Sequence, residues 1–259
     1  MPAAFVLHLD ARRPPALVKL RGWLYHALTP AFPELHDRPP PKPFALATGR
    51  DDAGPWVRLS FLEAPLLKEA GRLLWQNLNR NLALPPQNPR VLAVYEHAHA
   101  WAGKKDWAEL MSTPPSADLP LEFLTPTFFR RRDANYPVPA PGLILASLIR
   151  TWNTFAPEPV PPGVAERLVE HTTARHLNTR TLSATAHSRT VGFVGRVTLH
   201  LPRATEEEAR WLSRLGELAF FSGVGAKTTL GFGLARRYEL REGTHPDRGA
   251  HRRAPRRQP

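Results

Sequence analysis

The chain has no cysteine. Disulfides, thiolate zinc sites and cysteine nucleophiles are therefore excluded. Lysine is scarce as well: of 35 basic residues, only Lys19, Lys42, Lys68, Lys104, Lys105 and Lys227 are lysines. Long apolar runs are missing. The longest, Leu143 to Ile149, is far too short to cross a bilayer. The opening MPAAFVLHLD lacks the basic start and the uninterrupted apolar stretch of a signal peptide. The expectation is a cytoplasmic protein without a membrane partner.

What remains is a strongly basic chain. The formal net charge is +12 over 259 residues, carried almost wholly by arginine. Guanidinium groups grip phosphate through two parallel hydrogen bonds and stack on bases, which suits a nucleic-acid partner. A GC-rich genome would also supply Arg, Ala and the 29 prolines. Codon usage does not explain the excess of positive over negative charge, so a polyanion partner is favoured. The length allows a real core in one large or two small domains.

One stretch looks built for phosphate: FFSGVGAKTTLGFGLARRYEL, with Gly223, Gly225, Gly231 and Gly233 around Lys227. It is not a Walker A loop, because Ala226 precedes Lys227 and Phe221 holds the distal glycine position. Nor is it a dinucleotide fingerprint, since Thr228 stands where the third glycine belongs. Both nucleotide motifs run from strand to loop to helix. Here a helix comes first, opened by the capping box Thr205-Glu206-Glu207-Glu208 and continued by Ala209, Leu212, Leu215 and Ala219. A strand from Leu234 to Leu240 follows. Read alone, the glycines describe a tight helix-to-strand turn at positive φ.

The first half alternates strand and helix periodicities in the order β-α-β-β-α-β, the ferredoxin-like unit. Phe5, Leu7 and Leu9 read as alternating with polar positions, a strand with one buried face. Leu17, Leu20, Leu24 and Leu28 recur at helical spacing. Pro43 to Ala47, then Val57, Leu59 and Phe61, read as strands. Leu66, Ala70, Leu73, Leu74 and Leu78 form a second helix, and Val91 to Trp101 closes the set. A linker is expected around Ser112 to Leu119. The order then repeats more loosely: a strand over Leu121 to Phe129, a helix over Gly142 to Phe155, long strands over His171 to Ala186 and Val191 to Leu201, the capped helix and the last strand. The expected fold is α+β, two tandem ferredoxin-like (RRM-like) βαββαβ domains over residues 1–112 and 121–242, joined by 113–120. The basic tail, 243–259, is too poor in large apolar residues to join a core and is expected to be disordered.

Three segments together resemble a known family. They are LRGWLYHALTPAFPELHDRPPPKPFALA, FLTPTFFRR followed by YPVPAPGLILASLIRTWNTFAP, and GVGAKTTLGFG. In this order they resemble a CRISPR-associated endoribonuclease of the repeat-associated mysterious protein superfamily, which cuts precursor CRISPR RNA within its repeats. The resemblance implies RNA bound across a basic cleft and metal-independent cleavage. The RNA's own 2′-hydroxyl attacks, leaving a 2′,3′-cyclic phosphate and a 5′-hydroxyl. The alternative is a non-catalytic RNA-binding subunit of an RNA-guided effector complex with the same fold. The implied partner is CRISPR repeat RNA, as precursor and product. A homodimer and membership of a CRISPR effector complex stay open, and no cofactor is expected.

Such cleavage needs a base, an acid and a group that stabilises the phosphorane. The family's catalytic histidine maps onto His36, and a helix-borne second proton-transfer group onto Tyr25, with His26 as the substitute. Lys42 is the candidate for phosphorane stabilisation. Lys227 and the four glycines would hold RNA backbone, through successive N–H groups around an anion. Arg130, Arg131 and the neighbouring Arg132 form one basic run. Arg175, His176, Arg180, His187, Arg189 and Arg196 lie on a predicted hairpin that could enter an RNA groove. Trp23, Trp75 and Trp152 read as core residues. His97 and His99 would share a strand face, but no third ligand is apparent, so no metal site is assigned.

Overall fold

The computed structural model describes residues 1–132, 134–186 and 188–239. In chain order the elements are β1 (Ala3–Asp10), α1 (Leu17–Leu28), β2 (Phe44–Asp51), β3 (Gly54–Phe61), α2 (Ala64–Gln76), β4 (Arg90–Tyr95), β5 (Gly103–Lys104) and α3 (Trp107–Met111). They continue with β6 (Asp118–Thr127), β7 (Phe129–Arg131), β8 (Ala134–Tyr136), α4 (Pro141–Phe155), α5 (Pro162–His171), β9 (Thr173–Thr185), β10 (Arg189–His200), α6 (Glu206–Ser222) and β11 (Ala235–Arg237). The tail and the end of the expected last strand, Leu240, lie outside the described residues, as does His187.

Two antiparallel sheets carry the architecture. The first runs β2-β3-β1-β4, with β5 also on β1; the second runs β11-β6-β10-β9. Counted within each half, both orders are fourth, first, third, second. This shared order makes the protein two ferredoxin-like folds in tandem. The helices α1 and α2 cover one face of the first sheet, where Leu20, Leu24, Leu28, Leu66, Ala70 and Leu74 pack on Phe5, Leu7, Leu59 and Phe61. The helices α4 and α6 cover the second, with Trp152 and Trp211 edge to face at its centre. The start of α6 is the expected capping box: Glu208 N–H donates to Thr205 Oγ1 at 3.2 Å, and Thr205 N–H donates to the Glu208 carboxylate at 2.8 Å.

Several expectations are corrected. Alternation in β1 does not separate core from solvent, because Val6 and His8 on its other face are buried too. At Val6 that face packs, together with Trp56 and Trp101 of the same half, against Leu234 of the second half. The strand expected from Val91 to Trp101 ends at Tyr95, and the chain then turns through Ala98 at φ 58°. The strand expected to begin at Leu121 begins at Asp118, inside the expected linker. Past Thr127 the chain forms a separate ribbon of β7 and β8. An additional helix, α5, lies in a stretch where no element is expected; Pro162 starts it, where a missing N–H costs nothing. Trp75 is not core: it is 46% exposed, and its indole N–H donates to Glu96.

Arg58 joins the halves. It is buried in β3 without a carboxylate partner among the described residues. Its Nε donates to Trp101 O at 2.8 Å, a terminal nitrogen donates to Ser60 Oγ at 3.2 Å, and the other donates to Phe220 O. Ser60 Oγ in turn donates to Phe221 O at 2.6 Å. Phe220 and Phe221 belong to the last turn of α6, whose carbonyls point outward with negative partial charge. The arginine is therefore paired with a helix end. Burial pushes its guanidinium down to about 9, which leaves it charged at neutral pH.

Candidate RNA-processing cleft

Between the two halves lies a cleft of about 650 Å³. One wall is α1, through Arg21, and the segment Pro40 to Lys42. The other is Arg130 of β7, then Ser147, Arg150 and Thr151 of α4 and the loop after α6. Arg21, Lys42, Arg130, Arg150 and Lys227 all line it, and among the described residues no Asp or Glu does. Cations crowded together without acids are costly in themselves and describe a site for a polyanion.

His36 stands at the margin of this cleft rather than among the residues that line it. It follows the tight turn Pro33–Leu35 and its side chain is 68% exposed. Its Nδ1 lies 3.2 Å from Asp37 Oδ1. Lys42 Nζ donates to His36 O at 2.7 Å and to Leu35 O at 3.3 Å, tying the His36 loop to the start of β2. The Lys42 ammonium is held below its ordinary range, first by burial and then by nearby Arg21 and Arg38, against an opposing pull from Asp37. The Tyr25 ring meets the His36 ring edge-on at 5.0 Å. Its hydroxyl, however, is buried without a partner among the described residues, and the ring packs on Phe44. In this arrangement Tyr25 supports His36 from beneath, and its oxygen has no open path to a strand in the cleft. His26 is exposed on another flank of α1. Sequence reasoning missed Arg21, which sits one helical turn before Tyr25 with its guanidinium 5.1 Å from the ring centroid. The i, i+4 spacing was the available signal.

The glycine loop does not match the expected row of free amides. Gly223 N–H donates to Ala219 O, Gly225 N–H to Ser147 Oγ, Gly231 N–H to Thr228 O and Gly233 N–H to Pro126 O. These glycines shape the cleft wall instead. Gly225 has φ +85° and Gly233 φ +74°, and a β-carbon on Gly233 would come within 2.0 Å of Val224 O. The charge comes from Lys227, itself in the left-handed region at φ 59°. Gly233→Ala should therefore distort this wall, lowering the melting temperature and weakening RNA binding at least tenfold. Unchanged RNA affinity and melting would show that the wall's shape is immaterial.

The basic hairpin is only partly available. Arg175 pairs with Asp118 at 3.3 Å, and Arg196 pairs with Glu122 at 3.0 Å. Arg236 holds the other Glu122 oxygen at 3.0 Å while stacking on Trp101. Arg189 donates to Ser183 Oγ, and Arg180 is exposed. Arg131 leans toward Tyr136, 6.0 Å from the ring centroid, and the adjacent Arg132 sits at φ 54°. Arg131 and the hairpin arginines are outside the residues that line the cleft. Glu122 is held below its ordinary range of 4.5: partial burial alone would raise it, and the bonds from Arg236 and Arg196 outweigh that. Its stabilising effect is present above pH 4.5 and lost as the pH falls below it. Melting curves should show a shallower acid-side decline for Glu122→Gln than for the parent between about pH 5 and 3. Superimposable declines would dismiss the pair as a source of stability.

His99 finds partners that its neighbours in sequence do not supply. Its Nε2 and that of His8 each lie 3.1 Å from Asp51 Oδ2, while His97 is exposed and apart. The three side chains have the composition of a metal site. Their hydrogen bonding opposes that use. Trp101 N–H donates to His99 Nδ1 at 3.1 Å, which places the lone pair there and the ring proton on Nε2, facing Asp51. A ligating histidine carries the opposite pattern. The Asp51 carboxyl is held below its ordinary range: partial burial would raise it, but bonds from His99, His8 and Ala53 prevail.

The chain is similar to solved endoribonucleases along nearly its whole length. It is 47% identical to Cas6 (TTHA0078), solved as a product complex, over 92% of this chain and 99% of that one, with a TM-score of 0.88. This chain belongs to the Cas6 family. Residues 121–235 match the family CRISPR-associated endoribonuclease Cas6. A second relative, Cas6 (TTHB231), solved as a product complex, is 32% identical over 92% of this chain and all of that one, with a TM-score of 0.83; a further structure of Thermus thermophilus Cas6 (TTHB231) matches with a TM-score of 0.74. A form of the first relative with one histidine replaced by alanine has been solved too. No curated protein matches the chain. The protein is thus an endoribonuclease that processes precursor CRISPR RNA, and the reading as a non-catalytic subunit is set aside. Among the described residues no helix is long and apolar enough to cross a membrane.

Proposed function

We propose that this Cas6 cuts CRISPR repeat RNA without a metal ion. The RNA's 2′-hydroxyl attacks the adjacent phosphorus, and the products end in a 2′,3′-cyclic phosphate and a 5′-hydroxyl. The observation that carries this reading is a cleft lined by cations and, among the described residues, by no carboxylate, with an exposed imidazole at its margin. A divalent ion in phosphoryl chemistry is usually held by carboxylates, and none of the described residues lining this cleft carries one. An imidazole can take or give the proton that the attack requires. The histidine-to-alanine form of the relative supports looking to a histidine. His36 would serve as the proton-transfer group, set in place by Lys42 and by the ring of Tyr25. Lys227, Arg130 and Arg150 would hold the strand. The same reading divides the chain into a unit ending at residue 112 that carries His36, a connector over 113–117, and a unit beginning with β6 at Asp118 that supplies the opposite wall.

The test is direct. Purified protein is incubated with the CRISPR repeat encoded beside its gene, in excess EDTA, and the ends are mapped. Cleavage leaving a cyclic phosphate is expected. Cleavage that appears only when Mg²⁺ is restored would overturn the metal-free reading. Binding should also be steeply salt-dependent. If the five cations that line the cleft each neutralise a phosphate, affinity falls by about 100-fold between roughly 50 and 200 mM salt. A change of less than about threefold would show that these cations do not bear on RNA.

A further inference from the structure

The proposed cleavage leaves one task without an obvious performer. Lys42, the sequence-based candidate for stabilising the phosphorane, already directs its Nζ to two backbone carbonyls, Leu35 O and His36 O. It is placed to hold the His36 loop. Arg21 is placed differently. It lines the cleft beside Lys42. Among the described residues it has no hydrogen-bond or ion-pair partner, and its Nε is buried and unbonded. What holds its guanidinium is the face of Tyr25, at 5.1 Å. The same ring touches His36 at 5.0 Å. Tyr25 is thus a rigid spacer with an unpaired cation on one side and an imidazole on the other. A planar fork of donors with no acid to occupy it matches the oxygens of a phosphate.

We propose that Arg21 is a catalytic residue whose guanidinium holds the non-bridging oxygens of the scissile phosphate and stabilises their growing charge. This rests on the metal-free reading of the cleft and adds a residue to it. As the bond from the 2′-oxygen to phosphorus forms, the 2′-hydroxyl loses its proton to a base. As the bond from phosphorus to the 5′-oxygen breaks, that oxygen gains a proton from an acid. Arg21 exchanges no proton. It matches the charge that the dianionic phosphorane carries beyond that of the ground-state diester, so its effect falls on the rate.

The test compares Arg21→Ala, Arg21→Lys and His36→Ala under single-turnover conditions. Binding is measured with repeat RNA carrying a 2′-deoxyribose at the mapped cleavage position. Arg21→Ala should cut about 100- to 1000-fold more slowly while binding the deoxy RNA within about fivefold of the parent. Because Arg21 exchanges no proton in the step, the factor should be constant from about pH 6 to 9. Parental cleavage by Arg21→Ala beside an inactive His36→Ala would overturn this assignment and leave the cleft reading standing. Parental cleavage by both would overturn the two together. An affinity loss as large as the rate loss would make Arg21 a binding residue only, and the proposal would fail. If Arg21→Ala does not melt cooperatively, Arg21→Lys decides: it keeps the charge and the stem but not the fork, and a parental rate would refute the need for a guanidinium.

Discussion

Replacing His36 by alanine should slow cleavage of repeat RNA by about 100- to 10,000-fold, the usual contribution of a positioned proton-transfer group. RNA affinity should stay within about threefold, because the cations that line the cleft lie elsewhere and His36 itself is at the margin. The fold should be untouched, since the side chain is 68% exposed and bonds only to its neighbour Asp37. Added imidazole should restore part of the lost rate, because the space vacated by the ring is open to solvent. Three outcomes are thus separable. A variant that binds and does not cut, and that imidazole revives, supports proton transfer. A variant that binds and cuts at the parental rate removes His36 from the chemistry. One that no longer binds assigns it to RNA contact.

Arg58→Met should be the most damaging single change to stability. The substitution keeps most of the volume and removes the charge, which relieves a desolvation cost. It also strips donors from Trp101 O and Phe220 O, which then lie buried and unmet at the junction of the halves. Each unmet buried acceptor costs about 1–3 kcal/mol. Even with the relief, a net loss of about 3 kcal/mol is expected, or a fall of roughly 6–12 °C in melting temperature. Arg58→Lys should not recover it, because one ammonium cannot reach acceptors on β3, on the turn before β5 and on α6 together. Cleavage should weaken as well, although Arg58 is outside the cleft, because the two cleft walls belong to different halves. A melting temperature within about 1 °C of the parent would show that the halves are held by their apolar contacts alone.

Local signals were legible in proportion to how little they depended on the rest of the chain. The helical spacing of α1 and α2, the capping box of α6 and the turn-forming glycines are interactions within a few residues, and the structure has them where the residues place them. The glycine loop was harder to interpret than to find: its position was plain, but the partners of its amides are Pro126, Ser147 and backbone of its own turn. Without those partners, a row of free donors and a sculpted wall look alike. The break after Tyr95 was hidden because the residues there have no periodicity to betray it; α5 does show helical spacing in Val164, Ala165, Leu168 and Val169, but it is short and the prolines before it mask the pattern.

The amino-acid order by itself determined that the protein is basic, free of thiols and built from two strand-and-helix units, because composition and periodicity survive in a linear text. Folding decided which charges remain unpaired. Arg175 and Arg196 meet Asp118 and Glu122, while Arg21 and Lys42 meet no carboxylate across the cleft wall. Folding also set His8 beside His99 and Arg58 beside the end of α6. These encounters join residues far apart along the chain. Their energies depend on distance and burial in three dimensions, to which sequence separation is no guide.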